Sequence, residues 1–159
     1  LATIKANPDI QFIWQTGKYY YPQVTEAVRA AGKLPNLYVT DFIKDMAAAY
    51  AASDLVISRA GAGSISEFCL LHKPVVLVPS PNVAEDHQTK NALALVDKQA
   101  AIYVKDSEAE AKLMDVALKT VADDQKLKEL SDNIAKLALP DSARIIAQEV
   151  IKLAETENK

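Results

Sequence analysis

Five short apolar runs, rich in β-branched and aromatic residues and separated by stretches with helical spacing, constrain this chain more than any other feature. "IQFIWQTG" precedes "PQVTEAVRAAG", "NLYVTDF" precedes "KDMAAAYAAS", and "DLVIS" precedes "SISEFCLLH". "PVVLVPS" then precedes "DHQTKNALALVDKQ", and "AAIYV" closes the series. Strand and helix in strict alternation predict an α/β fold, because parallel strands are joined only through long crossovers that lay helices over both faces of the sheet. Right-handed crossovers follow from the twist of the strands.

Local signals punctuate the series. Pro22 suits the first turn of its helix and Gly32 a C-terminal cap. After "AAIYV" the strand runs stop, and Ala143, Ile146, Ala147, Val150 and Leu153 keep one helical stripe after a restart at Pro140. With 159 residues, half of them hydrophobic, residues 1–159 are expected to form one domain. A net charge of −3 gives no broad basic field, so no nucleic-acid partner is expected. The single cysteine, Cys69, has no partner for a disulfide or a thiolate metal cage, which points to a reducing, cytoplasmic setting and no metal site. No apolar run reaches the ~18 residues of a membrane span. The sequence has no GxGxxG or Walker loop.

The stretch "SRAGAGSISE", Ser58 to Glu67, packs small residues between a strand and a helix. In open α/β sheets that corner lies at the carboxyl edge where ligands bind, and a helix starting there aims free N–H groups at the crevice. Small side chains let a phosphate come close. Glu67, about a turn into the helix, is suited to accept two hydroxyl hydrogen bonds from a ribose. A second reading is purely structural: Ser64 to Glu67 is an S-x-x-E capping box in which Glu67 returns to the Ser64 amide.

Four motifs in order resemble the donor-binding half of the MurG family of glycosyltransferases: F-I-x-D-M at 42–46, R-A-G-A-x-S-x-x-E at 59–67, P-x-V-L-V-P at 74–79 and H-Q-x-x-N-A at 87–92. The resemblance implies a Rossmann-like parallel sheet, one half of a GT-B-type enzyme that transfers N-acetylglucosamine from UDP-GlcNAc to lipid I, with inversion, to make lipid II for peptidoglycan. It implies that Ile43 meets the uracil edge through its backbone, between Phe42 and Met46. Ala62, Gly63 and Ser64, with Ile65 and Ser66 in the same turn, would meet the diphosphate, and Glu67 the ribose.

Gln88 and Asn91 would read sugar hydroxyls, leaving UDP affinity indifferent to Gln88. His87 stands beside them as a donor-site residue, with a capping or surface role as its alternative. Arg59 has three readings: a phosphate partner, a salt bridge to Asp54, or a solvated side chain. The resemblance assigns no catalytic residue here and requires no cofactor. The opening "LATIKANPD" reads as the end of a helix, so an upstream glycine-rich loop and an N-terminal domain are expected. That domain would bind the lipid acceptor at the cytoplasmic membrane face and bring the catalytic base. The alternatives are another two-domain UDP-sugar transferase and a non-catalytic α/β ligand-binding module.

Overall fold

The computed structural model describes residues 1–83 and 86–157. The chain divides into two compact units, Leu1–Ser53 and Asp54 onward.

The first unit runs α1 (Ala2–Ala6), β1 (Phe12–Gln15), α2 (Gly17–Ala31), β2 (Leu37–Thr40) and α3 (Met46–Ala52). The two strands are parallel, with Phe12 opposite Leu37 and Gln15 opposite Thr40. Asn36, buried just before β2, fixes this pairing. Its Nδ2 donates to the carbonyls of Ile4, Asn7 and Ile10 at 3.1, 3.0 and 3.0 Å, so one amide gathers the end of α1 and the approach to β1. α2 ends at Gly32 as expected, with φ +86°. Its start is not as expected: the helix opens at Gly17, and Pro22 lies inside it. A proline in the second turn removes the one amide that would return to the carbonyl of Lys18, a loss the helix absorbs near its end.

The second unit runs β3 (Val56–Ser58), α4 (Ala62–Leu71), β4 (Val75–Leu77), α5 (His87–Val96), β5 (Ile102–Tyr103), α6 (Asp106–Val121), α7 (Asp124–Ala135) and α8 (Ser142–Glu157). Its sheet is parallel in the order β3-β4-β5. β4 is the centre, and all three of its residues are fully buried, which is why "VVL" is apolar without alternation. Val76, Val78 and Val104 form a core with Leu113 and Val116 of α6 packed against it. α7 packs on α4 and α6, and its Leu130 and Ile134 are buried. Burial also pushes the Cys69 thiol of α4 above its ordinary pKa. The α/β class with parallel sheets stands as read from the alternation.

α8 forms where the apolar stripe predicted a helix, but the stripe faces solvent: Ile146 and Val150 are 64% and 60% exposed. Among the described residues no helix is long and apolar enough to cross a membrane.

Candidate functional site

The expected site residues lie in both units. In the first, Phe42 and Ile43 belong to the loop between β2 and α3, and Met46 opens α3. Three side chains set the loop's path. Thr40 Oγ1 donates to the Phe42 carbonyl at 3.0 Å, and the Ile43 N–H donates to Gln15 Oε1 at 2.8 Å. Asp45 caps α3 by accepting from the Ala48 N–H at 2.9 Å. Phe42 is 60% exposed. Gln15 was not singled out by sequence reasoning. The available signal was a polar amide ending a strand, level with the residue that leads into the loop.

The second unit carries the corner. β3 ends at Ser58, and α4 begins at Ala62 with Gly61 as its N-cap and no side-chain cap. Ser64 is therefore the third helical residue. The capping box is not formed: the first turn closes through the Ile65 N–H to the Gly61 carbonyl at 3.0 Å, and Glu67 sits exposed on the helix. That reading fails because a glycine with φ −69° and ψ 141° takes the cap position without any side-chain oxygen. Ser66 Oγ turns back to the Ala62 carbonyl at 3.0 Å. A Cβ built on Gly61 or Gly63 would meet nothing within 4 Å, and neither glycine has positive φ. Among the described residues nothing demands glycine at either position, and there is room beside both.

Three side chains hold this corner from behind. Gln88 Oε1 accepts from the N–H groups of Ala60 and Ser80 at 3.3 and 2.9 Å. Asn91 Nδ2 donates to the Ala60 carbonyl at 3.2 Å. Arg59 Nη1 donates to the carbonyls of Val78 and Pro79 at 3.1 and 3.2 Å and pairs with Asp106 at the start of α6. Arg59 thus binds Asp106 rather than Asp54, and spans the end of β4. His87, the first residue of α5, is exposed beside Asp86, whose Oδ1 accepts from Thr89 Oγ1 at 2.6 Å. The structure joins Gln88 and Asn91 to Ala60, two residues before α4, through side-chain-to-backbone bonds that no local pattern announces.

The sequence profile described as the glycosyltransferase family 28 C-terminal domain matches residues 2–146. A protein of Bacteroides thetaiotaomicron called UDP-N-acetylglucosamine--N-acetylmuramyl-(pentapeptide) pyrophosphoryl-undecaprenol N-acetylglucosamine transferase is 96% identical over 99% of this chain and 42% of its own length. A protein of the same description from Phocaeicola vulgatus is 66% identical over 100% of this chain and 42% of its own length. The chain therefore spans about two fifths of the curated relatives it matches. Among solved structures, the Acinetobacter baumannii MurG crystal structure superposes with a TM-score of 0.76 at 32% identity, covering 88% of this chain and 42% of that one. A glycosyltransferase of kitacinnamycin, at 20% identity and TM-score 0.67 over 92% of this chain and 37% of its own, shares the fold. Profile, relatives and superposition agree along nearly the whole sequence: the chain belongs to the glycosyltransferase family 28 C-terminal domain family.

Proposed function

We propose that this chain is the donor-binding part of an inverting N-acetylglucosaminyltransferase that uses UDP-GlcNAc and completes the lipid-linked disaccharide of peptidoglycan synthesis. The observation that carries the reading is the glycine-bearing start of α4, with room beside both glycines and the preceding Ala60 held by the two amides of the H-Q-x-x-N-A motif. The N–H groups of Ala62, Gly63 and Ser64 lie in the first turn, where four helix amides lack intrahelical partners and the helix dipole favours an anion. A diphosphate fits that chemistry.

In the reaction a hydroxyl oxygen of the lipid-linked acceptor attacks the anomeric carbon of the sugar, the new C–O bond forms, and the bond to the β-phosphate oxygen breaks. UDP leaves with that bonding pair, and the acceptor proton passes to a base. The α4 amides stabilise the charge that grows on the leaving diphosphate. Glu67 accepts from the ribose hydroxyls, and the uracil edge meets the Ile43 backbone between Phe42 and Met46. Ile65 and Ser66 complete the diphosphate turn, and His87 borders the sugar. The acceptor, the base and the docking to the cytoplasmic membrane surface belong to the portion of the relatives that this chain does not match.

The test is transfer of labelled N-acetylglucosamine from UDP-GlcNAc to a lipid I analogue by the full-length protein, alongside UDP titration followed by amide NMR. The expected result is transfer, with shifts centred on Ile43 and residues 62–67. Transfer from another UDP-sugar in preference would identify a different transferase. UDP-induced shifts scattered away from these residues would overturn the site.

A further inference from the structure

The β3–β4 ladder extends to the Val78 N–H, which donates to the Ser58 carbonyl at 2.9 Å. Beyond it the two chains part, and side chains take over from the ladder. The Val78 carbonyl goes to Arg59, and the N–H groups of Ala60 and Ser80 converge on the one oxygen of Gln88. Ala60 itself is fully buried, so its N–H has no recourse to water, and its carbonyl is taken by Asn91.

A carboxamide oxygen has two lone pairs, and both are used here. This settles the orientation of the Gln88 amide: the oxygen points at the parting strands, and only the NH₂ group is left for a ligand. Asn91 is oriented the opposite way, with NH₂ on Ala60 and Oδ1 left over.

We propose that Gln88 is a positioning residue for the α4 helix start, setting the affinity for the diphosphate, and that towards the sugar it acts as a donor only. The inference rests on the donor-binding reading above and deepens it. It departs from the expectation, drawn from sequence, that UDP affinity is indifferent to Gln88. Ala60 stands two residues before α4, so loss of its anchor lets the first-turn amides of Ala62 to Ser64 move, and phosphate binding at a helix start depends on those amides pointing together.

Two variants of the full-length protein separate the roles. Gln88→Leu keeps the bulk and can neither accept nor donate. Gln88→Glu can accept from both amides but cannot donate when ionised. In Gln88→Leu we expect the amide protons of Ala60 and Ser80 to exchange at least about tenfold faster, and UDP to bind about tenfold more weakly, the scale of one lost buried bond. Gln88→Glu should restore the protection of both amides. At raised salt, which screens its added charge, it should recover most of the UDP affinity while losing the extra affinity of UDP-GlcNAc over UDP.

Unchanged UDP affinity in Gln88→Leu, with UDP-GlcNAc binding reduced, would overturn the positioning role and leave Gln88 a reader of sugar alone. Unchanged exchange at Ala60 and Ser80 would do the same. If Gln88→Leu does not fold, Asn91→Ala, which removes the other hold on Ala60, should lower UDP affinity several-fold; an unchanged value refutes the proposal. A wild-type protein that binds no UDP refutes the donor reading and the ligand half of this inference together, while the exchange measurement still decides whether Gln88 holds the corner.

Discussion

Asn36 shows how a single amide can carry a local fold. Its NH₂ is shared among three carbonyls, of which those of Ile4 and Asn7 also accept from the Asn7 and Ile10 N–H groups, so Asn36→Ala removes the side-chain donor from all three and should destabilise the protein by about 2 kcal/mol in denaturant titration. Glu67 presents a different question. With the capping box absent and the side chain exposed, Glu67→Gln should change stability by less than about 1 kcal/mol. UDP affinity should fall by about tenfold, because a charged acceptor binds hydroxyls more strongly than a neutral one. Calorimetry and thermal melting on one preparation compare the two numbers. A melting loss without an affinity loss would return Glu67 to a structural role. Gln15 presents a third situation, because its carbonyl oxygen now occupies the N–H of Ile43. A carboxamide and a uracil edge offer that N–H the same kind of oxygen, so the base must displace Gln15. Gln15→Ala is therefore expected to tighten UDP binding by up to about fivefold, the worth of one exposed hydrogen bond. Weaker binding would mean that Gln15 orders the loop rather than competing for it.

At the scale of elements, α4 illustrates both what sequence reveals and what it hides. Its existence was legible from "SISEFCLLH", because Phe68 and Cys69 are buried where helical spacing places them. Its start was not, since the S-x-x-E pattern offered a capping box at Ser64 while the actual cap is a glycine that works through its backbone alone. α2 was displaced for a related reason: Pro22 read as a first-turn residue, whereas the preceding "GKYYY" already winds into helix. β4 was the easiest strand because burial on both faces removes polar residues from it. The candidate site divides in the same manner. The motif residues were legible as residue types, but the grip of Gln88 on Ala60 and Ser80 spans 28 and 8 positions and depends on where strands part, which no local pattern encodes. The far end of α4 yields a prediction of its own. His72 stops the helix in the left-handed region, φ +54°, with the Lys73 N–H returning to the Phe68 carbonyl at 3.0 Å. That conformation costs a side-chain-bearing residue about 1 kcal/mol, so His72→Gly should stabilise the protein by about 0.5–1 kcal/mol in urea unfolding. Loss of stability would mean that the imidazole makes packing contacts worth more than the strain.

Over the whole molecule, apolar burial is unevenly spread. β4, Phe68, Leu130 and Ile134 are essentially inaccessible to solvent, while every residue from Pro140 to Glu155 is exposed. The consequence of the bare α8 stripe is kinetic as well as geometric. A helix of 16 residues whose described side chains are all exposed depends largely on its own propensity, which in water is marginal at that length. α8 should therefore open and close on its own, without the rest of the chain unfolding, whereas α7, with two buried anchors, should open only with its neighbours. Native-state deuterium uptake resolves the difference: amides of α8 should exchange at least about tenfold faster than those of α7. Equal protection would show that the stripe is covered in solution. Proteases, which cut chains that unwind locally, should then take residues 142–157 first and leave the buried sheet as the last part of the chain to be digested.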